Sequence, residues 1–146
     1  MLAHRGVDAA GRRRLAAAYG CITEALNAWR KSLKPGGVVA FSEPCWFTPT
    51  PSDAAIKAWA DYPAMTDAAG IHARVAAAGY TVLGTRQLSN AAWEAYYTPL
   101  EQRIKTLQQG AAPALAQVLS DHAAEIASWR AHHAEFGYLL TLVRPT

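Results

Sequence analysis

The sequence predicts an α/β domain, and three observations predict it. Three segments have strand character, near residues 37–43, 80–88 and 136–144. Apolar residues at helical spacing fill the stretches before and between them. Helix stops precede the first two strands: Lys34-Pro35-Gly36-Gly37 and Gly79. Strands interleaved with helices form an α/β layout. Three strands alone form a thin sheet.

Residues 8–33 read as a helix. Leu15, Tyr19, Ile22, Leu26, Trp29 and Leu33 recur at three- and four-residue steps, so they share one face. Lys34 sits in the last turn, Pro35 prevents continuation, and the two glycines supply unusual backbone angles. Val38-Val39-Ala40-Phe41 is strand-forming and runs into a polar Ser42-Glu43 end. Pro44 to Pro51 reads as a proline-broken loop that carries Trp46 and Phe47. Ser52-Asp53 offers an N-cap for a short helix, Ala54 to Tyr62, with Ile56 and Trp59 inward.

Thr66-Asp67 caps the next helix, in which Ile71, Val75 and Ala78 share a face and Gly79 is the stop. Residues 80–88 form the second strand. Asn90 caps the segment Ala91 to Tyr97, Pro99 starts a helix through Leu107, and Gly110 breaks it. Pro113 starts a long helix with Leu115, Val118, Leu119, His122, Ile126 and Trp129 on one side. Phe136 to Val143 forms the last strand, ended by Arg144-Pro145.

Composition narrows the function. Half the 146 residues are hydrophobic, enough for a packed core. No apolar run approaches the ~20 residues of a membrane span, and no secretory signal pattern opens the chain. Cys21 and Cys45 have no metal or redox spacing, and free thiols in a reducing cytoplasm are expected. The net charge of +3 resides in residues 1–14, where Arg5, Arg12, Arg13 and Arg14 face only Asp8. The rest has ten basic and ten acidic residues. A balanced body argues against a nucleic-acid-binding face. The arginine cluster reads as a solvated helix start, the alternatives being a polyanion-binding arm or a transit peptide.

Several segments together resemble Rossmann-like S-adenosylmethionine-dependent small-molecule methyltransferases. They are Ala18-Tyr19, Ala25 to Arg30, Leu33-Lys34-Pro35-Gly36-Gly37, Ser42 to Phe47, Tyr62-Pro63, Ala78-Gly79-Tyr80, Trp93, Tyr96-Tyr97, Pro99-Leu100-Glu101 and Phe136-Gly137-Tyr138. The resemblance places residues 15–146 as the C-terminal half of such a domain. Residues 1–14 resemble nothing upstream in the family; an artificial leader, a misassigned start and a different natural beginning remain open. The implied fold is a partial Rossmann-like sheet with a helical insertion before the final strand. That strand lies between the other two and antiparallel to both.

The resemblance implies S-adenosylmethionine as cofactor and a small molecule as methyl acceptor. It also exposes a departure. The family's cofactor half opens on a strand and a Gly-x-Gly-x-Gly loop, because only glycine lets backbone approach the cofactor so closely. The chain contains no Gly-x-Gly. The cofactor-binding residues are therefore unknown, and the chain is expected to be inactive alone. Its expected partner is a missing N-terminal half or a second copy in a homodimer. A non-catalytic, self-associating fragment and one half of a split enzyme are the alternatives.

Glu43 ends a strand where open α/β sheets place ligands, which makes it a candidate base or substrate contact. Tyr19 resembles a position near the methyl-transfer centre. Trp46, Phe47, Trp93 and Tyr97 are candidate walls of a substrate pocket; core packing is the plain alternative, above all for Trp93 and Tyr97. His122 reads as a core histidine. Adjacent His132 and His133 point apart on a helix and make no metal pair.

Overall fold

The computed structural model describes residues 22–146. Tyr19, Cys21 and the basic segment 1–14 lie outside the described residues. Helix α1, Ile22–Arg30, opens the described chain and buries Ile22, Ala25 and Leu26. Gly37 N–H closes the following turn on Lys34 O at 2.8 Å. Gly36 takes φ 75°, a left-handed angle that a Cβ disfavours.

Strand β1 spans Val39–Trp46. It is longer than the sequence suggests and passes through Pro44, so Trp46 belongs to the strand rather than to a loop. After it come α2, Asp53–Ala58, and β2, Thr66–Asp67. Helix α3, Ala68–Ala77, leads to β3, Tyr80–Gln87. Helices α4, Asn90–Gln108, and α5, Pro113–His132, form the insertion. Strand β4, Phe136–Pro145, closes the chain.

The sheet order is β2-β1-β4-β3. Strand β4 pairs antiparallel with β1, Val39 opposite Val143 and Trp46 opposite Phe136. It also pairs antiparallel with β3, Tyr80 opposite Pro145 and Gln87 opposite Leu139, with a bulge between Val82 and Gly84. The last strand thus lies between the other two long ones, as expected. The sheet has a fourth member that the sequence does not announce. Two-residue β2 pairs parallel with Cys45 and Trp46 of β1, and its Asp67 still caps α3 by accepting from Gly70 N–H at 2.8 Å.

Alternation along β4 divides the core. Leu139, Thr141 and Val143 are buried. Leu139 and Val143 pack with Cys45 beneath Ile22, Leu26, Ile71 and Val75 of α1 and α3. Phe136 and Tyr138 face the other way and pack with Trp59, Trp93 and Trp129 of the α2–α4–α5 side. Leu140 and Leu142, next on that second face, are exposed.

Arg30 locks α1 to the sheet. Its guanidinium donates to Ala78 O and Gly79 O and stands 4.5 Å over the Tyr80 ring. Tyr80 in turn donates its hydroxyl to Leu26 O at 2.9 Å. In the insertion, Arg130 forks onto Glu94 at 2.8 and 2.9 Å and reaches Glu101 at 3.2 Å, which ties α5 to α4.

Three helix expectations are corrected. Pro99 does not start a second helix: α4 is continuous, capped by Ser89 accepting from Ala92 N–H at 3.2 Å, with Pro99 inside. Helix α2 ends at Ala58 and turns Ile56 outward, 49% exposed, while Trp59 is buried. On α5, Leu119, Ile126 and Trp129 are buried, but Leu115 and Val118 are exposed because the helix packs on one narrow seam.

Candidate functional site

The C-terminal half of β1 is the most chemically distinctive place in the described chain. Strand alternation puts Glu43 and Cys45 on one side and Pro44 and Trp46 on the other. The segment between α2 and β2 returns Tyr62 to this end. Its hydroxyl donates a hydrogen bond to Glu43 Oε1. Arg74 of α3 lies close enough to act electrostatically on both groups, and its Nη2 is anchored on Ala64 O at 2.8 Å.

These neighbours tune the pair. Burial raises the Glu43 carboxyl above its ordinary 4.5; the Tyr62 hydrogen bond and the Arg74 charge pull it partly back. Burial likewise raises the Tyr62 phenol, helped by the Glu43 carboxylate that accepts its hydrogen bond. Cys45 is pushed up to about 11 by burial and by the negative charges of Asp67 and Glu43. Its thiol is therefore a poor nucleophile at neutral pH. A carboxyl in this setting, with its pKa raised and a phenol donating to it, has the chemistry of a proton acceptor for a bound molecule.

Tyr62 also joins the acid to the aromatic wall. It packs against the cluster that contains Trp93, Tyr97, Trp129 and Phe136, as does Trp46. Trp46 meets Phe136 edge-on at 6.3 Å. Trp93 stacks on Tyr97 at 5.4 Å, Trp129 at 5.3 Å and Tyr138 at 5.2 Å. Trp93 and Tyr97 are buried, so they support this wall from inside the core. Phe47 faces the other core and covers Gly137, where an added Cβ would lie 2.7 Å from its ring.

Tyr62 thus links Glu43 to the aromatic cluster that contains Trp93 and Tyr97 and against which Trp46 packs, whereas Phe47 packs on the other core. In the sequence Tyr62 reads only as the end of the Ala54–Tyr62 helix and as part of Tyr62-Pro63. Its partnership with Glu43, nineteen residues away, depends on how α2 turns the chain back. His122 is half-buried, with Nδ1 3.8 Å from Glu125, and is not a core residue. His132 pairs with Glu135 at 2.7 Å. No group of three metal-ligating side chains occurs among the described residues, and no described helix is long and apolar enough to cross a membrane.

No family model matches the chain, and no curated protein matches it in sequence. Solved structures do match. YjhP from E. coli superposes with a TM-score of 0.73 at 17% identity, over 90% of this chain and 56% of that one. A SAM-dependent methyltransferase from Geobacter sulfurreducens, solved with S-adenosyl-L-homocysteine, gives 0.66 at 15% identity, over 87% and 53%. Its counterpart from Thiobacillus denitrificans, with the same ligand, gives 0.66 at 16%, over 88% and 54%. The fold is that of part of a Rossmann-like SAM-dependent methyltransferase, and the chain spans about half the length of these structures.

The left-handed glycines among the described residues, Gly36, Gly79 and Gly110, all lie at helix ends or turns. None opens a strand-to-helix loop of the Gly-x-Gly type, a pattern that the whole sequence lacks.

Proposed function

We propose that these 146 residues form the methyl-acceptor side of a SAM-dependent methyltransferase acting on a small molecule. The observation that carries the reading is the Glu43–Tyr62 pair in the C-terminal half of a strand in this fold, backed by the aromatic wall. Open α/β sheets bind ligands at strand ends, and methyl transfer chiefly needs an acceptor held in line. Glu43 takes the acceptor's proton or holds its polar group. Tyr62 positions Glu43. Trp46 lines the apolar side, supported by Trp93 and Tyr97; Phe47 acts only indirectly, by setting the end of β1 against β4. Tyr19 is a second candidate at the transfer centre.

Transfer requires a cofactor-binding unit in addition to these residues. Calorimetry with S-adenosylmethionine and S-adenosylhomocysteine tests this. The 146-residue chain is expected to give no saturable heat and no methyl transfer. A dissociation constant in the low micromolar range, about −8 kcal/mol, would overturn the reading.

A second reading rests on a different observation. Part of one sheet face and most of the outer edge of β1 are uncovered among the described residues. These surfaces suit self-association as a homodimer or docking of the cofactor-binding half. A buried free thiol at Cys45 and balanced charge agree with a cytoplasmic protein.

A further inference from the structure

Arg74 stands where three segments meet beside the Glu43–Tyr62 pair. Tyr62-Pro63-Ala64-Met65 is a tight turn, closed by Met65 N–H on Tyr62 O at 3.1 Å. Pro63 at its second position presets the backbone. Half-buried Arg74 donates from Nη2 to Ala64 O in that turn at 2.8 Å, ten residues back along the chain. Side chains on a helix lean toward its N-terminus, so an arginine midway along α3 reaches the segment that precedes the helix. The Arg74 carbonyl in turn accepts from Thr23 Oγ1 of α1 at 3.4 Å. The charge of Arg74 falls on the same pair, acting through space on both Glu43 and Tyr62. Next along β1, Cys45 feels the negative charges of Asp67 on β2 and of Glu43. Opposite Glu43 on β4 stands uncharged Leu139.

We infer that Arg74 is a positioning residue of this site: it pins the turn that aims Tyr62 at Glu43, and it is the cation that accompanies the Glu43 carboxylate. The inference rests on the reading of Glu43 as the acceptor's partner and extends it to the state in which Glu43 works. A nearby positive charge favours the ionised carboxyl, the form that takes up a proton from a bound molecule. Burial works against that form, and Tyr62 and Arg74 are the two groups that oppose burial. Arg74 also holds the turn that carries Tyr62, so its loss weakens both.

The test is a carbon-13 NMR titration of the Glu43 side-chain carboxyl in the intact chain, with neither cofactor nor acceptor present. Arg74→Met removes the charge and the donors but keeps an unbranched stem. Arg74→Lys restores a charge and a donor. The Glu43 midpoint is expected to move to higher pH in Arg74→Met and to return toward the parent's in Arg74→Lys. In Arg74→Met the Met65 amide, which closes the turn, should also exchange several-fold faster with solvent. A merely structural arginine would leave the Glu43 midpoint where it is. Three results in the folded variants would each overturn the proposal: an unchanged midpoint in Arg74→Met, a midpoint in Arg74→Lys as high as in Arg74→Met, or unchanged exchange at Met65. Because nothing is bound, these outcomes are independent of the calorimetry that tests the methyl-transfer reading.

Discussion

The Glu43 carboxyl is where stability and chemistry compete. Its raised pKa means that the folded chain holds the proton more tightly than the unfolded chain does. The associated stability is complete below the ordinary value of 4.5 and is lost as pH rises through the raised value. Glu43→Gln removes the buried charge but keeps an acceptor for Tyr62. Its melting temperature is expected to exceed the parent's at pH 8 and to converge with it near pH 4; a constant offset across that range would contradict the assignment. Tyr62→Phe does the opposite by stripping the carboxylate of its donor. A loss of about 1–3 kcal/mol at pH 8, shrinking at pH 4, should appear in urea melts. Gly137 is a steric case. A methyl group there would meet Phe47 at 2.7 Å, so Gly137→Ala is expected to cost about 1–3 kcal/mol and to change the near-ultraviolet dichroism of the displaced ring. An unchanged urea midpoint would show that Phe47 yields freely.

At the scale of elements, Pro99 is the anomaly. It sits inside α4 on an exposed position, where its ring removes one hydrogen bond and crowds the preceding turn. Pro99→Ala is expected to stabilise the chain by about 1–2 kcal/mol, less than the full helix-interior penalty because the unfolded chain gains freedom. Urea denaturation would show it, and a destabilised variant would mean that the proline is needed for α4 to meet α5. Pro99 also marks the limit of sequence reading. A proline reads as a helix start, and only packing of Trp93, Tyr97 and Ile104 on both sides of it keeps one helix intact. The same limit hid β2, since two residues carry no periodicity, and extended β1 past Pro44, which the antiparallel partner Tyr138 supports. What was legible had local chemistry behind it. The Lys34-Pro35-Gly36-Gly37 stop, the Gly79 stop with φ 72° and the Asp67 cap all act within a few residues. Glu43 was legible as a strand acid, although β1 runs on past it to Trp46, and its phenol partner was not, because that contact is made by tertiary folding alone.

At the scale of the molecule, the sheet is covered unevenly. Helices α1 and α3 close one face. The insertion closes only the Phe136–Tyr138 end of the other. Leu140 and Leu142 remain 41% and 38% exposed on β4, and Val38 and Leu83 are 47% and 43% exposed on the flanking segments. Beside them, β1 pairs on its outer side only through Cys45 and Trp46, so residues 39–44 present a free edge among the described residues. Such an edge invites another strand. The charge of residues 15–146 is balanced, so no long-range repulsion opposes association. A self-complementary edge is satisfied at least cost by a two-fold pair. The expected outcome is a dimer of twice the 15.7 kDa chain mass by light scattering at micromolar concentration, burying more than about 1,000 Å². Leu140→Glu with Leu142→Lys changes exposed positions only, so it should leave the fold intact and give monomers. A monodisperse monomer for the parent chain would refute the dimer, and a dimer that survives the double substitution would place the contact away from this face.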